Sequence, residues 1–531
     1  MENLHSQSDS RSWRLQDGLV AAMMDASFYP KPPPEIIHKE THISHVFLAG
    51  DLVYKIKKAV RFSFLDYSTL SQRAHFLSEE LRLNRRLAPS VYLAIMPITS
   101  DRSGWHLSGN GPPAEYALVM RRLPERRMLP FLLETRQVTP QMMVELADVL
   151  ARFHRQAGRI KLADASVYPK TVAQQWIDNF QEIEPYIGTS IDSEAVELLK
   201  SFGARFVDRH YELLVQRAKQ GWIRDVHGDL HCEHVCFAPE GIQIFDCIEF
   251  DANIRQCELA SEIAFLLMDL DVRGGGWAIK PLVTRYRELL DDPELPVLLS
   301  FYQSYRAVVR AKVHALRAGR IDPEAARYFH FATRFTWDPM KPFILMICGL
   351  TGSGKSTLAR ELGERLGMPV INSDAVRKKI AAKSGRQSVP FNAGIYSSTM
   401  TEKTYSRIAR EAEKEILNGS GAILDATFGQ KAHRQKIIRL AEKHRVPLLV
   451  IHCVAPEETT RRRLAERALA GSDISDGRWE IYLQQSAAYQ AIDEILPENR
   501  LELNTESTPE ELARLSERFL RSRGMPGSSL A

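Results

Sequence analysis

A glycine-rich loop followed by a lysine is the part of this sequence best suited to chemistry. It reads Gly349-Leu-Thr-Gly-Ser-Gly-Lys355-Ser356-Thr357 and fits G-x-x-x-x-G-K-[ST], whose glycines turn backbone N–H groups towards phosphate oxygens. An apolar run at 343–348 precedes the loop and a helical pattern follows it, as the motif requires. We expect Lys355 to contact the β- and γ-phosphates of a nucleotide and Ser356 to ligate Mg²⁺. The expected phosphate-binding residues are Gly349, Thr351, Gly352, Ser353, Gly354, Lys355, Ser356 and Thr357.

Three further groups bear on what this loop does. Asp374 and Arg377 follow the second predicted strand, at the sheet edge where ligands bind, and suit a general base and an anion-binding group. Asp425 ends the third predicted strand and is a candidate to hold Mg²⁺ or its water. Arg463 and Arg467 share one helix face, from which they would close over the phosphates. Simpler interpretations stay open: Asp374 as a helix N-cap and the arginines as a solvated surface.

A second set of candidates lies in the N-terminal half. Asp229 stands in His227-Gly-Asp-Leu-His231, and Asp246 follows seventeen residues later at the end of a strand-like piece. The first suits orientation or deprotonation of an acceptor hydroxyl, and the second suits Mg²⁺ binding. Lys55 lies on a predicted strand and would contact phosphates, with Glu80 on the next helix as its expected partner. Each residue alone also suits a surface ion pair, but their order favours a phosphotransfer site.

The elements that must position these groups differ between the two halves. In the C-terminal half strands and helices alternate, which predicts a doubly wound parallel α/β domain. Its predicted strands lie near 343–348, 368–372, 421–425, 447–454 and 499–503. Its predicted helices lie near 355–366, 400–418, 430–444, 456–470, 478–494 and 508–523. The N-terminal half instead begins with two predicted strands within 36–58, joined at a turn at residues 49–51. A predicted helix at 68–87 and strands near 91–98 and 115–120 follow, and beyond residue 126 the chain is mostly helical, with strand-like pieces at 234–237 and 242–246. This order predicts a two-lobed α+β fold.

Composition narrows the class of protein. With 531 residues, 44% hydrophobic and 26% charged, the chain is globular rather than disordered, collagenous or coiled-coil. The net charge of +4 is too weak for a general nucleic-acid binder and suits a site for small anions. Six cysteines without dense spacing, no apolar run long enough to span a bilayer and no signal-like N-terminus predict a cytoplasmic protein with no membrane partner. The oligomeric state stays open.

The C-terminal motifs carry a resemblance. GLTGSGKST, INSDAVRK, ILDATF and the arginine-rich helix resemble the small P-loop kinases related to gluconate kinase, polynucleotide kinase and zeta-type toxin kinases. The resemblance covers residues 343–525 and implies transfer of the γ-phosphoryl group of ATP to a hydroxyl, with Asp374 as general base. Acceptors in that group range from sugars to nucleic-acid ends.

The N-terminal motifs, HGDLH and YALVMRRLP, resemble the aminoglycoside phosphotransferase family of kinase-like enzymes. The whole chain is therefore similar to bacterial fusions of such a domain with a P-loop kinase or ATPase. The resemblance divides it into an N-terminal segment (1–28, partly flexible), a small lobe (29–125), a helical lobe (126–336), a linker (337–342), the P-loop domain (343–525) and a flexible tail (526–531). Gly228 stands where protein kinases place an arginine, which argues for a small-molecule acceptor.

Two departures from that family matter. His234 replaces the usual asparagine ligand of Mg²⁺, and imidazole is a poor match for a hard octahedral cation. The loop before the predicted strand at Ile43–Leu48 also lacks the glycines that usually lie over the phosphates in that family. The N-terminal half is therefore a slow kinase, one that prefers Mn²⁺, or a regulatory nucleotide-binding relic. A zinc site among His227, His231, Cys232, His234 and Cys236 is disfavoured, since alternate residues of a strand cannot all face one metal.

The sequence thus predicts an ATP- and Mg²⁺-dependent phosphotransferase with two nucleotide sites and a small-molecule hydroxyl acceptor. Three alternatives stay open: a nucleotide-gated regulatory ATPase, a nucleic-acid end kinase and a toxin-like nucleotide-sugar kinase.

Overall fold

The computed structural model describes residues 10–62, 65–189, 191–318, 322–381, 397–470 and 478–523. The chain forms two compact units, an N-terminal unit Met1–Ala332 and a C-terminal unit Thr333–Ala531. Each unit has its own sheet and its own hydrophobic core. Among the described residues, no helix is both long and apolar enough to cross a membrane.

An antiparallel sheet of six strands opens the N-terminal unit, in the order β1-β2-β3-β8-β6-β7. Its strands are β1 (Ile36–Glu40), β2 (Ser44–Ala49), β3 (Leu52–Lys57), β6 (Tyr92–Asp101), β7 (Gly104–Leu107) and β8 (Glu115–Arg121), and a small ribbon pairs β4 (Arg61–Phe62) with β5 (Leu65–Asp66). The β2–β3 turn falls at Gly50, whose φ of 63° suits glycine. This confirms the predicted turn at residues 49–51, but residues 36–58 form three strands rather than two, and Lys55 lies on β3 inside the sheet.

Two helices flank this sheet. Helix α1 (Ser10–Met23) buries Leu19 and Met23 against Phe47 and Ile56, so the N-terminal segment contributes a helix to the core. Helix α2 (Leu70–Asn84) begins at a capping box, in which the Thr69 side chain accepts from the N–H of Gln72 and Gln72 bonds back to Thr69. Helix α2 carries Glu80 towards the sheet, where this side chain is completely buried.

The rest of the N-terminal unit is helical, as predicted, with two short antiparallel ribbons. The ribbons pair β9 (Ile223–Asp225) with β12 (Gln256–Glu258), and β10 (Val235–Ala238) with β11 (Gly241–Ile244). The helices are α3 (Leu129–Glu134), α4 (Pro140–Gln156), α5 (Tyr168–Glu182), α6 (Ser193–Arg209), α7 (Tyr211–Gln220), α8 (Ala252–Arg255), α9 (Leu259–Val272), α10 (Ile279–Leu290), α11 (Leu295–Ala318) and α12 (Pro323–Thr333). Helix α9 is buried on nearly every face, and it supports the loop that contains Asp229.

A parallel sheet of five strands forms the C-terminal unit, in the order β14-β15-β13-β16-β17. The strands are β13 (Ile344–Cys348), β14 (Val370–Asn372), β15 (Ala422–Asp425), β16 (Leu448–Val454) and β17 (Arg500–Asn504). The helices are α13 (Lys355–Leu366), α14 (Ser373–Ile380), α15 (Ser398–Leu417), α16 (Lys431–His444), α17 (Glu457–Ala470), α18 (Trp479–Ala488) and α19 (Pro509–Arg523). Alternate residues of β13 pack into two separate cores, which confirms that helices cover both sheet faces.

Two boundaries differ from the sequence expectation. Residues 337–342 are not a linker, because Trp337 is completely buried and packs with Phe343 and Leu358 in the core of the C-terminal unit. The apolar side chains of this segment pack into the C-terminal unit, so the segment is part of that unit despite its prolines. Helix α18 also ends at Ala488, six residues before the predicted end, and the following segment runs back to β17.

Replacement of Trp337 by alanine is expected to destabilise the C-terminal unit by about 3–5 kcal/mol, since it removes a large buried ring. The ring also receives the Arg521 guanidinium 3.8 Å from its centroid. Hydrogen exchange should therefore accelerate in β13 and α19 and stay unchanged in β1–β3. Trp277→Ala, at a side chain that is 53% exposed, is the control. Unchanged exchange in β13 would assign 337–342 to a linker after all.

Candidate functional site

The phosphate loop connects β13 to α13 at the carboxyl edge of the parallel sheet. Gly349, Gly352 and Gly354 have φ angles of 145°, 80° and 81°, which favour glycine. A Cβ at Gly349 would lie 2.4 Å from the carbonyl oxygen of Cys453, and one at Gly352 would lie 2.8 Å from a methyl of Thr460. The loop therefore leaves no room for side chains at these positions and presents its backbone to a ligand.

Several side chains hold this loop in place. Thr505 donates its hydroxyl to the Ser353 carbonyl at 2.8 Å, and Arg463 donates in turn to the Thr505 hydroxyl at 3.0 Å. The Lys355 ammonium lies 3.3 Å from the Leu350 carbonyl oxygen. Arg463 thus braces the loop from behind through Thr505. Thr505 belongs to no recognisable sequence motif, so its contact with the phosphate loop is seen only in the structure.

Asn372 organises the acidic side of the site. Its Oδ1 caps α14 by accepting from the N–H groups of Asp374 and Ala375, and its Nδ2 donates to Asp425 Oδ2 at 2.6 Å. The N-cap interpretation of Asp374 is therefore wrong. Asp374 lies one turn before Arg377, and its Oδ1 accepts from Arg377 Nη1 at 2.6 Å. The predicted base and the predicted anion-binding group are paired with each other.

A cavity of about 890 Å³ joins these groups. Its walls include Thr351, Lys355, Ser356, Asp374, Arg377, Asp425 and Thr427, together with the polar side chains Thr401, Glu402, Lys403, Tyr405, Gln430, His433 and Gln485. Neither Arg463 nor Arg467 is among the residues that line it. The structure thus brings together the loop and the carboxylates, whereas Arg463 and Arg467, predicted to close over the phosphates, lie outside the cavity lining.

The C-terminal site fits a nucleotide with Mg²⁺. Asp425 is 2% exposed, and its Oδ1 accepts no hydrogen bond from any described residue. A buried carboxylate oxygen without a donor is costly, and a cation or its water would satisfy it. The Ser353 hydroxyl is likewise buried without a partner among the described residues. Oxygen donors from Ser356 and Asp425 suit a hard cation.

A buried ion network forms the first part of the N-terminal site. Lys55 Nζ lies 2.7 Å from Glu80 Oε1 and 3.1 Å from Asp246 Oδ1. Burial disfavours the Lys55 ammonium, but attraction to Asp246 and Glu80 outweighs it and raises the pKa of Lys55 well above its usual range. The pKa of Asp246 is lowered, mainly by Lys55. The predicted partners therefore meet, and all three are charged at neutral pH.

A second lysine extends this network and was not predicted. Lys57 lies two residues beyond Lys55 on β3, is completely buried, and contacts Glu80 Oε2 at 2.8 Å and Glu249 Oε1 at 2.5 Å. Tyr67 donates to Glu249 at 2.8 Å. The spacing of two residues on one strand could have identified Lys57, since it shares a face with Lys55.

The loop that contains Asp229 is fastened by its backbone. Glu262 on α9 accepts from the N–H groups of His227 and Gly228 at 2.8 and 3.1 Å. His227 donates Nε2–H to the Phe245 carbonyl at 2.8 Å, and burial lowers its pKa to about 3. Gly228 has a φ of 84°, so glycine is required there. His227 is therefore a neutral positioning residue.

Three side chains of this loop converge. Asp229 Oδ2 lies 3.5 Å from His231 Nε2 and 3.8 Å from His234 Nδ1, and the two imidazole centroids are 4.0 Å apart. Residues Cys232–His234 form a 3₁₀ turn rather than a strand. The strand argument against a metal therefore does not apply to His231 and His234, because this turn before β10 brings the two imidazoles together. An imidazole beside Asp246 does not fit Mg²⁺.

Comparison with known proteins relates the C-terminal unit to kinases. Residues 344–492 match the family described as AAA domain. The adenylyl-sulfate kinase of Myxococcus xanthus is 32% identical over 137 residues, which cover 24% of this chain and 69% of that protein. The probable gluconokinase of Schizosaccharomyces pombe is 27% identical over 126 residues, 24% of this chain and 63% of that protein. The C-terminal unit is thus a P-loop domain related to small-molecule kinases.

A longer match spans both units. The uncharacterized protein Rv2004c of Mycobacterium tuberculosis is 32% identical over 449 residues, which cover 83% of this chain and 88% of that protein. The relationship extends well beyond the P-loop domain, so the pairing of the two units is common to both proteins.

Burial raises the pKa of Glu262 to about 7, against an opposing effect of Arg306. A carboxyl whose pKa is higher in the folded than in the unfolded state stabilises the fold at low pH, and this contribution is lost as pH rises. We expect wild type to lose about 3 kcal/mol of stability relative to Glu262→Gln between pH 4.5 and pH 7.

The measurement is urea unfolding at several pH values, monitored by hydrogen exchange of peptides from the N-terminal unit. The effects of other titrating groups cancel when the unfolding free energies of wild type and Glu262→Gln are subtracted. Glu288→Gln, at a side chain 63% exposed, is the matched control. A difference between wild type and Glu262→Gln that does not change with pH would show that Glu262 stays ionised.

Proposed function

We propose that this chain, which belongs to the family of the mycobacterial protein Rv2004c, is an ATP-dependent phosphotransferase with two nucleotide sites. The C-terminal P-loop unit transfers the γ-phosphoryl group of ATP to a hydroxyl of a small molecule. The N-terminal unit is a kinase-like domain with its own nucleotide site. The observation that carries the proposal is the cavity in which the phosphate loop, Asp425 and the Asp374–Arg377 pair face one another.

The residues of the C-terminal cavity divide the work. The backbone N–H groups of the phosphate loop and Lys355 hold the phosphates, with the N-terminus of α13 adding partial positive charge. Ser356 and Asp425 would hold Mg²⁺, which when bound neutralises charge that develops on the phosphates. Asp374 accepts the proton of the attacking hydroxyl. A nucleotide switch without an acceptor needs no such base.

The side chains that line the cavity favour an acceptor that is anionic and rich in hydroxyl groups. Arg377 lies beside Asp374, where it would bind a sulfate, phosphate or carboxylate group of the acceptor and release Asp374 to act as base. Hydroxyl and amide side chains elsewhere in the cavity, including Thr401 and Gln485, would bind hydroxyls. Adenylyl sulfate and gluconate, the substrates that the names of the related kinases indicate, are both anionic.

Three features support the N-terminal nucleotide site. Lys55 is held by Glu80 on a helix beside the sheet, as a phosphate-binding lysine requires. Asp246 lies 3.1 Å from the same lysine, where it would face the phosphates. Asp229 is 32% exposed at its side chain and available to an acceptor hydroxyl. A chain with a nucleotide site only in its C-terminal unit would have no function for this arrangement of Lys55, Asp246 and Asp229.

Two substitutions test the C-terminal site. In a chain that carries Asp229→Asn, Lys355→Ala should abolish phosphate transfer, and Asp374→Asn should reduce it by about 10²–10⁴-fold while ATP binding is retained. The measurement is label transfer from γ-labelled ATP to adenylyl sulfate, gluconate, other sugars, nucleosides, oligonucleotide ends and aminoglycosides. Asp493→Asn, at a side chain 70% exposed, is the control. Undiminished transfer by Asp374→Asn would exclude its role as base.

The N-terminal site is tested in a chain that carries Lys355→Ala. Asp229→Asn should remove the remaining transfer, and Lys55→Ala should weaken nucleotide binding because phosphate contacts are lost. The same acceptor panel and nucleotide titration are used, with Lys200→Ala, an exposed lysine of the same unit, as control. Release of free phosphate without label on any acceptor would instead identify a nucleotide-gated regulator.

A further inference from the structure

The three side chains that converge at the Asp229 loop are spaced as ligands of one metal ion. One ligand atom each from Asp229, His231 and His234 can be chosen so that all lie within 4.8 Å of one another. The 3.5 Å between Asp229 Oδ2 and His231 Nε2 is too long for a good hydrogen bond. It is close to the separation of about 3.3 Å expected between two ligands of a tetrahedral ion with bonds near 2.0 Å.

Hydrogen bonding selects the nitrogen that His234 offers. Its Nδ1 lies 2.8 Å from the Asp229 carbonyl oxygen, so Nδ1 carries the proton and donates it. The lone pair then resides on Nε2, which faces Asp246 Oδ2 at 3.6 Å. Two electron pairs that face each other at this distance repel unless a cation lies between them. A histidine whose other nitrogen is bonded to a backbone carbonyl is the usual arrangement of a metal ligand.

His231 is supported in a similar way. It is 3% exposed, its Nδ1 has no hydrogen-bond partner among the described residues, and that nitrogen lies 3.9 Å from Asp269 Oδ2. Asp269 is itself fixed by the N–H of Cys232 at 2.9 Å and by Arg273 Nε at 3.0 Å. A small closing movement completes a carboxylate–histidine–metal chain, in which Nδ1–H donates to Asp269 and Nε2 binds the metal.

Charge also favours a divalent cation. The groups connected through Lys55, Lys57 and His234 are these two lysines and the anions Glu80, Glu249, Asp246 and Asp229, and the charge of the neighbouring Asp269 is offset by Arg273. These six side chains sum to −2, so a divalent ion would balance them. Two imidazoles and one carboxylate favour a borderline ion over Mg²⁺, which prefers oxygen ligands.

We propose that Asp229, His231 and His234 form a binding site for a divalent first-row transition-metal ion of the Zn²⁺ or Co²⁺ type. The chain supplies these three ligands, and Asp246 Oδ2, 3.6 Å from His234 Nε2, lies where it would complete the coordination of the ion. Because these ligands belong to the chain, the ion binds before any nucleotide. The inference does not depend on phosphotransfer by either unit.

Cobalt binding to the nucleotide-free full-length protein tests the site. We expect one equivalent of Co²⁺ to remain bound during dialysis against a large excess of Mg²⁺. Exchangeable, paramagnetically shifted imidazole N–H resonances should appear, one from each bound histidine. His231→Gln and His234→Asn should each remove one resonance and weaken binding at least about 100-fold, since even outer partners of a metal ligand contribute 10–100-fold.

Further variants separate ligand loss from misfolding. Asp269→Asn should retain both resonances and weaken binding by about 10–100-fold. His106→Gln, an exposed histidine that also contacts an aspartate, should bind like wild type. Circular dichroism checks that each variant folds. The proposal is overturned if wild type shows no imidazole resonances, if His234→Asn binds cobalt within about threefold of wild type, or if binding requires ATP.

Discussion

The cost of burying a carboxylate governs both units of this protein. An ionised carboxylate away from water needs donors or cations around it, and its free energy rises by several kcal/mol when they are missing. Glu80 therefore has two lysines and Asp425 has the Asn372 amide, whereas Glu262 has only two backbone N–H groups and its pKa is raised to about 7 by burial. Where a carboxylate oxygen keeps no such partner, as at Asp425 Oδ1, the fold points to a ligand.

Because of this constraint, each site forms only when several elements of its unit are in place. In the N-terminal unit, the lysines come from β3, Glu80 from α2, and Asp246 and Glu249 from the segment after β11. Each of these groups would be buried without its partner if the sheet, the helix or the segment were out of place, and an unpaired buried charge is costly. In the C-terminal unit, Asn372 links the end of β14 to the end of β15 in the same way. The geometry of each site is therefore tied to the stability of its fold.

The sequence predicts the parts of this arrangement that depend on local pattern. The phosphate loop, the parallel sheet and the turn at Gly50 follow from spacing and periodicity, and the structure confirms them, whereas β1, β4 and β5 add strands that the sequence pattern does not separate. The spacing of Lys55 and Lys57 places both on one face of β3, but the sequence does not show that this face is buried, because a lysine on a strand usually reaches solvent. The brace from Arg463 through Thr505 joins residues 42 apart in sequence. Trp337 falls in the expected linker because Pro339 and Pro342 end the helical pattern there. Its burial depends on residues of α13 and α19, which are far from it in sequence.

The two sites differ in the atoms they offer to a metal. In the C-terminal unit the candidate ligands are a hydroxyl and a carboxylate, which are oxygen donors that bind Mg²⁺ weakly and let it arrive and leave with a nucleotide. In the N-terminal unit His231 and His234 offer imidazole nitrogens beside the carboxylate of Asp229. Nitrogen ligands on the protein hold a transition metal without help from phosphates. On the proposals made above, the C-terminal metal arrives with a nucleotide, whereas the N-terminal metal needs none. The 3₁₀ turn at Cys232–His234 produces this difference by bringing His234 beside His231.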